Sequence, residues 1–286
     1  MRKPLVAVIG ATGNIGNAVS ALLARAGSRV VHVGRKENLD AKFRVIPYKG
    51  IVSIVGQEVP DFVINLSNYH VPIGELLNEA AMAESIVGVA EAVAATASEW
   101  GTPVISASTY FQYAPKHLRP WSVYAELKRQ AQEILLAKSV DRYGFADLII
   151  FDTYGGHKQN KILDLILQAS KMSESLKLTP GEQLVNLTHV EDIAECIRRL
   201  LSEDKLRVSS EVHEIRSFET YSILELVKIV ETLSGTSLPV QIGALPYRSK
   251  EVFELWSTPY KPVPNWSQNW TVQKYIESQL KISTRN

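Results

Sequence analysis

Apolar residues in the first half of the chain fall into short unbroken runs, separated by longer stretches in which they recur every three to four residues. Pro4-Leu5-Val6-Ala7-Val8-Ile9 is the first such run, and Ser28 to Val33, Phe43 to Pro47, Asp61 to Leu66, Pro103 to Ala107 and Phe145 to Phe151 follow. Runs of this length that do not alternate with polar residues predict strands buried on both faces. Between them, Ile15, Val19, Leu22 and Leu23 keep helical spacing up to Gly27, and Met82 to Trp100 and Ser122 to Arg142 read as further helices. Strands covered on both faces and linked by helices predict an α/β fold built on a doubly wound parallel sheet of the Rossmann type. After Gly156 the alternation breaks up, Thr179-Pro180-Gly181 marks a turn, and Thr188 to Asp192 reads as a helix start.

The first strand runs straight into Gly10-Ala11-Thr12-Gly13-Asn14-Ile15-Gly16, and a helix follows. In that setting Gly10 permits a tight turn, Gly13 lets backbone approach a pyrophosphate, and Gly16 lets helix pack on strand. The backbone of Thr12, Asn14 and Ile15 belongs to the same cradle, where unpaired N–H groups and the helix dipole favour an anion. The chain therefore divides into a dinucleotide-binding domain at 1–175, completed by part of 184–216, and a smaller, mainly C-terminal substrate-binding lobe at 176–286. At the end of the second strand, where a carboxylate would hold the ribose of NAD, the chain has Gly34-Arg35-Lys36. Arg35 is suited to clamp the 2′-phosphate of NADP, with Lys36 adding charge. NADP, as NADPH, is the expected cofactor, and NAD is the alternative, with Glu37 or Asp40 on its ribose.

Ligands in such sheets bind at the carboxyl edge of the strands. That edge carries Asn65-Leu66-Ser67-Asn68, Ser106 to Ser108 and Asp152-Thr153-Tyr154-Gly155-Gly156, which puts Leu66 among the cofactor candidates. Tyr124 and Lys128 stand four apart in the helix from Ser122, on one face, so that the ammonium is expected against the phenol, favouring its ionised form. With Ser108 to hold a carbonyl oxygen, the three form a set that moves a proton while a nicotinamide moves a hydride.

With 45% hydrophobic residues the chain can bury a large core, and a net charge of +1 with mixed signs offers no field for nucleic acid or an anionic membrane. The initial apolar run is too short for a signal peptide, and no stretch reads as long enough to span a bilayer, so a cytoplasmic location and no membrane partner are expected. The single cysteine, Cys196, reads as core packing, and the six histidines show no metal-ligand spacing. Tyr247, Phe253, Trp256, Tyr260, Trp266 and Trp270, set among prolines, read as pins for a non-regular tail.

These blocks, in this order, resemble the extended short-chain dehydrogenase/reductase family, in its nucleotide-sugar epimerase/dehydratase/reductase group. The resemblance rests on the glycine turn, Ser106-Ala107-Ser108, Tyr124 to Lys128, Asp152 to Gly155, Pro180 to Ala194 and Gly243 to Arg248. It implies catalytic roles for Ser108, Tyr124 and Lys128, with Lys128 also on the nicotinamide ribose. It also implies substrate contacts for Ser108, Thr109 and Asp152, and a diphosphate contact for Arg248. Members that eliminate water across the sugar carry an Asp-Glu pair after the active-site hydroxyl, whereas this chain has Thr109 and Tyr110. Asp152 stands where many relatives have Asn. The pattern looks most like NADPH-dependent reductases of nucleotide-diphospho-4-keto-deoxyhexoses, of the CDP-abequose synthase type. The expected partner is thus a nucleotide-diphosphate keto sugar, and the resemblance admits a homodimer. An epimerase that keeps its cofactor bound and a non-catalytic dinucleotide sensor are the competing readings. His157 reads as a surface-loop residue.

Overall fold

Unbroken apolar sequence becomes interior strand here. β1 (Leu5–Ile9) is buried at every position, and α1 (Asn14–Arg25) follows it, stopped by Gly27 at φ 93°. β2 (Arg29–Gly34), β3 (Arg44–Pro47) and β4 (Phe62–Asn65) come next. The computed structural model describes residues 2–34, 44–47, 58–69, 78–119, 121–158, 161–169, 175–203, 206 and 208–283; Arg35, Lys36, Glu37 and Asp40 lie outside them. A long helix begins at Asn78, whose side chain accepts from the Ala81 amide. It runs as α2 (Glu79–Ala83), a π-helical turn (Glu84–Gly88) and α3 (Val89–Trp100), and ends at Gly101 with φ 65°. β5 (Val104–Thr109), α4 (Val123–Ser139, capped by Ser122) and β6 (Phe145–Ile150) complete this half.

The second half is made of shorter pieces: β7 (Asp152–Tyr154), α5 (Ile162–Ala169), β8 (Leu176–Lys177), β9 (Leu184–Val185), β10 (Leu187–His189) and α6 (Val190–Leu201). β11 (Ser210–Ile215), β12 (Tyr221–Ser222), α7 (Ile223–Ser234), β13 (Val240–Gln241) and α8 (Val272–Ser283) follow.

The main sheet has seven strands in the order β11-β6-β5-β4-β1-β2-β3, each paired in parallel with its neighbour. This is the expected doubly wound α/β sheet. The chain leaves β1 toward β3 and then crosses back to β4, so the β1/β4 junction is the point where the order reverses and a crevice opens at the carboxyl edge. Alternate residues of each strand point to opposite faces. Val6, Val8, Ile64 and Leu148 pack on Val19 and Leu23 of α1 and Ile193 and Ile197 of α6. Ala7, Ile9, Val63 and Val104 pack on Val93 and Ala97 of α3 and Leu135 of α4. Cys196 lies in the first layer with no exposure, and burial pushes its thiol up to about 12. A separate cluster joins α5, α7 and α8 through Leu163, Ile166, Leu226, Val230 and Ile276.

The helix start read at Thr188 to Asp192 is that of α6, which begins at Val190 directly after Thr188 and His189 have ended β10, the partner of β7; His189 caps it through Nδ1, which accepts from the Glu191 amide at 3.2 Å. The helix Glu79–Trp100 is long and apolar enough to cross a bilayer, with 22 residues and a mean hydropathy of 1.4 over its most apolar window, contrary to the expectation that no stretch would be. Half of that window is buried within the fold, and Met82, Ile86, Val89 and Val93 supply its core contacts against the sheet and α4.

Candidate active site

The glycine turn is built by contact as well as by conformation. Gly10 adopts φ 78°, and a Cβ there would stand 2.7 Å from the Leu66 carbonyl carbon, so β1 and the end of β4 meet backbone to backbone. A Cβ on Gly16 would come within 2.7 Å of Ala11 Cα, which is how α1 seats on the turn. At Gly13 the added atom would meet only the Gly10 carbonyl oxygen, at 3.3 Å, so the turn is open on its outer side. α1 starts from Gly13 with no side-chain cap and no acidic residue in its first turn. Its first amides and its dipole therefore face outward without a competing anion, and this cradle suits a dinucleotide pyrophosphate. The Asn14 side chain is engaged elsewhere: Nδ2 donates to the Lys158 carbonyl at 3.1 Å and Oδ1 accepts from the Lys158 amide at 2.8 Å. Only the backbone of Asn14 is left for a cofactor. The same pair of bonds ties the loop carrying exposed His157 to the glycine turn.

Ser108, near the end of β5, is buried, and so is Lys128 in the second turn of α4. The Lys128 ammonium directs two of its donors to main-chain carbonyls, Ser67 and Ala107, both at 2.9 Å. It thereby clamps the ends of β4 and β5 and keeps one donor in hand. Burial pulls it down to about 8. Tyr124, one turn earlier, is half-buried. Burial pushes its phenol up to about 12, against a hydrogen bond from the Asn68 side chain. The ionised phenol expected from the neighbouring Lys128 is thus not favoured, because burial outweighs it. The ammonium is drawn to the strand ends, desolvation dominates at Tyr124, and the phenol stays protonated near neutral pH.

Sequence reasoning gave two polar residues of this site no role. Asn68, just past β4, was expected at the carboxyl edge but carries no signal of its partnership with Tyr124. Asp147 does give one, as a charge inside the apolar run Phe145 to Phe151. It is wholly buried, and Gln132 Nε2 donates to its Oδ2 at 2.6 Å. Burial pushes Asp147 up to about 6, opposed by the Ser108 hydroxyl, Gln132 and the charge of Lys128.

Thr109 and Tyr110 continue the edge from Ser108, and both are buried. The Tyr110 ring stacks on Phe151 at 4.4 Å and 6°, and Trp256 Nε1 donates to the Tyr110 carbonyl at 3.0 Å. Asp152, the first residue of β7, accepts from the Asn186 amide at 3.2 Å, and burial pushes it up to about 6. Arg248 is exposed, and its amide donates to Glu251. The structure brings its stretch near α4 through Lys250, whose ammonium donates to the Trp121 carbonyl at 2.9 Å. Trp121 in turn lies against Phe111 and Trp256. Trp256 and Trp266 thus do pin the irregular tail, Trp266 by donating to the Asp192 carbonyl. Among the described residues no group of three or more His, Cys, Asp or Glu side chains could hold a metal ion.

The family model for the NAD dependent epimerase/dehydratase family matches residues 6–215. A curated relative, CDP-abequose synthase of Yersinia pseudotuberculosis, is 23% identical over 290 residues, covering 96% of this chain and 99% of the relative. Among solved structures, MoeE5 in complex with UDP-glucuronic acid and NAD superposes with a TM-score of 0.80 at 20% identity, over 98% of this chain and 99% of that one. The dTDP-glucose 4,6-dehydratase of Bacillus anthracis in complex with NAD does so with a TM-score of 0.79 at 14% identity, over 99% and 97%.

Proposed function

The chain belongs to the NAD dependent epimerase/dehydratase family, and from that premise we propose that it is an NADPH-dependent reductase of a nucleotide-diphospho-4-keto-deoxyhexose, acting at C4. The observation that supports this reading best is the buried Lys128, bonded to the strand ends with one donor in hand, on the helix that carries a protonated Tyr124 one turn earlier. Ser108 lies near the end of β5, and the glycine turn is open. Thr109 and Tyr110, where an Asp-Glu pair would serve elimination, favour plain reduction over dehydration. The similarity to a CDP-abequose synthase supports a deoxysugar substrate.

In this reading the 1–175 part with β11 holds the cofactor, and 176–286 contributes most of the substrate lobe. The backbone of Gly10 to Gly16 holds the pyrophosphate, Leu66 borders it, and Lys128 offers its remaining donor to the nicotinamide ribose. The bound nicotinamide supplies the hydride that reduces the C4 carbonyl carbon. The Ser108 hydroxyl orients the carbonyl oxygen, and the Tyr124 phenol gives its proton to the alkoxide, so that hydride and proton together convert C=O to CH–OH. Thr109 and Asp152 line the sugar, and Arg248 holds the diphosphate.

The choice of NADP rests on Arg35 and Lys36, which lie outside the described residues. Charge-assisted bonds to a 2′-phosphate, roughly 1.5–3 kcal/mol each, should favour NADPH over NADH by about ten- to a hundredfold in kcat/KM. Arg35→Ala should remove most of that preference. Equal kcat/KM for the two cofactors in the parent protein would sink the NADP assignment and turn attention to Glu37 and Asp40.

Anchoring by the nucleotide is tested separately. Arg248→Ala should raise KM by about ten- to a hundredfold with a smaller fall in kcat, because remote binding energy holds the ring in place. The keto sugar without its nucleotide should be a very poor substrate. An unchanged KM, or rapid reduction of the free sugar, would point to an ordinary carbonyl reductase.

A further inference from the structure

Asp147 lies in the middle of β6 with Phe145, Ala146, Leu148, Ile149 and Ile150 around it, and it has no exposure to solvent. A carboxylate in such a place needs compensation, because burial strips its hydration. Its surroundings supply several partners. α4 contributes the Gln132 amide, donating at 2.6 Å, and the charge of Lys128. β5 puts Ser106 in register with Asp147 and Ser108 two residues further along the same face, where its hydroxyl favours the charged carboxylate. The turn after β5 contributes Tyr113, whose own phenol is pushed up in part by Asp147 and stands edge-on to Tyr260. On the other side β11 presents apolar Val212 in register with Asp147.

Gln132 is itself locked, since its Oε1 accepts from Tyr113 Oη at 2.7 Å and from Gln112 Nε2 at 2.8 Å. Even so, Asp147 Oδ1 is buried without a hydrogen-bond partner. Around Lys128 the neighbours are the Ser67 and Ala107 carbonyls, and Asp147 is the charge that acts on it among the described residues. Two members of the proposed reacting set, Ser108 and Lys128, therefore share this one carboxylate behind them.

We propose that Asp147 is a positioning residue of this site, the buried counter-charge that keeps the Lys128 ammonium protonated and holds the Ser108 hydroxyl. Its importance for turnover rests on the reading of Ser108, Tyr124 and Lys128 as the reacting set. Desolvation brings Lys128 down to about 8 even with Asp147 opposing it, and burial brings Asp147 up to about 6. Both groups are charged between those values. Above that window Lys128 loses its proton, and below it Asp147 gains one. Removing the carboxylate's charge leaves desolvation of Lys128 unopposed, so its titration moves to lower pH.

Asp147→Asn keeps the shape and an acceptor for Gln132 while removing the charge; Asp147→Ser is a smaller neutral alternative. Titration of the Lys128 side chain is followed by NMR in protein labelled at lysine, with the resonance assigned by its loss in Lys128→Arg. In parallel, kcat for NADPH-dependent reduction is measured across pH. The expected result is a Lys128 titration lowered by about one pH unit or more, with the basic limb of kcat moving down with it. A lowered titration with an unmoved kcat limb would support the counter-charge and instead overturn the place of Lys128 in the reacting set. A Lys128 titration unchanged in both variants would overturn the proposal.

Discussion

Tyr124→Phe is expected to lower turnover by the ~10²–10⁴-fold typical of a lost proton donor, while the fold and the affinity for the cofactor stay as they are. The separation is expected because the ring, which packs on the cluster containing Val93, Ala131 and Leu135, is kept and only the hydroxyl is lost. The group deprived of its partner is Asn68, which is exposed and can turn to water. Burial holds the phenol at about 12, so the parent enzyme should keep its donor protonated throughout the neutral range. Single-turnover oxidation of NADPH with a saturating keto sugar reads the chemical step, and a cofactor titration reads binding. A variant keeping more than about a third of the parent rate, against that expected loss, would remove Tyr124 from the role.

Gly16→Ala should damage the other half of the site. The added methyl would meet Ala11 Cα at 2.7 Å and the Gly10 carbonyl carbon at 2.9 Å, both backbone atoms that cannot swing aside. α1 would have to lift off the turn, costing about 1–3 kcal/mol of stability, as overpacking does. The amides that cradle the pyrophosphate would move with it, so the dissociation constant for the dinucleotide should rise by at least about tenfold, equivalent to ~1.4 kcal/mol. Gly27→Ala provides the contrast. Nothing lies within 4 Å of the atom it adds, and only the positive φ of 93° opposes it. That variant should lose roughly 1–2 kcal/mol of stability and bind the cofactor as before. Denaturant unfolding and cofactor titration of the two proteins decide the matter; parental affinity in Gly16→Ala would place the pyrophosphate elsewhere.

Much of this architecture is legible from residue order alone, because interior strands and their covering helices each obey a period that local sequence records. Val6, Val8 and Ile9, or Ile64, need no tertiary information to be read as buried. The glycine turn is equally local, since Gly10 and Gly16 are demanded by backbone atoms a few residues away or at the end of the adjacent strand. What stayed hidden depends on long-range encounters. Ser67 supplies a carbonyl to Lys128 from 61 residues away, and that bond, absent from any helical-wheel argument, draws the ammonium to the strand ends. β7 and β10 gave no strand signal of their own, because Asp152 to Tyr154 and Leu187 to His189 are strands only through each other. Asp147 was visible as a charge in an apolar run, but its meaning needed the register that sets it opposite Ser106, beneath α4.

The central claim is net reduction at C4, and a redox balance tests it most directly. The protein is incubated with NADPH and, in turn, the CDP-, dTDP-, UDP- and GDP-linked 4-keto-deoxyhexoses, following nicotinamide absorbance and identifying the sugar product. The account expects at least one of these substrates to be consumed with one NADPH oxidised per 4-hydroxy sugar formed. Conversion of a nucleotide sugar to its epimer with no net oxidation of NADPH would contradict it and make the protein an epimerase built on the same three residues.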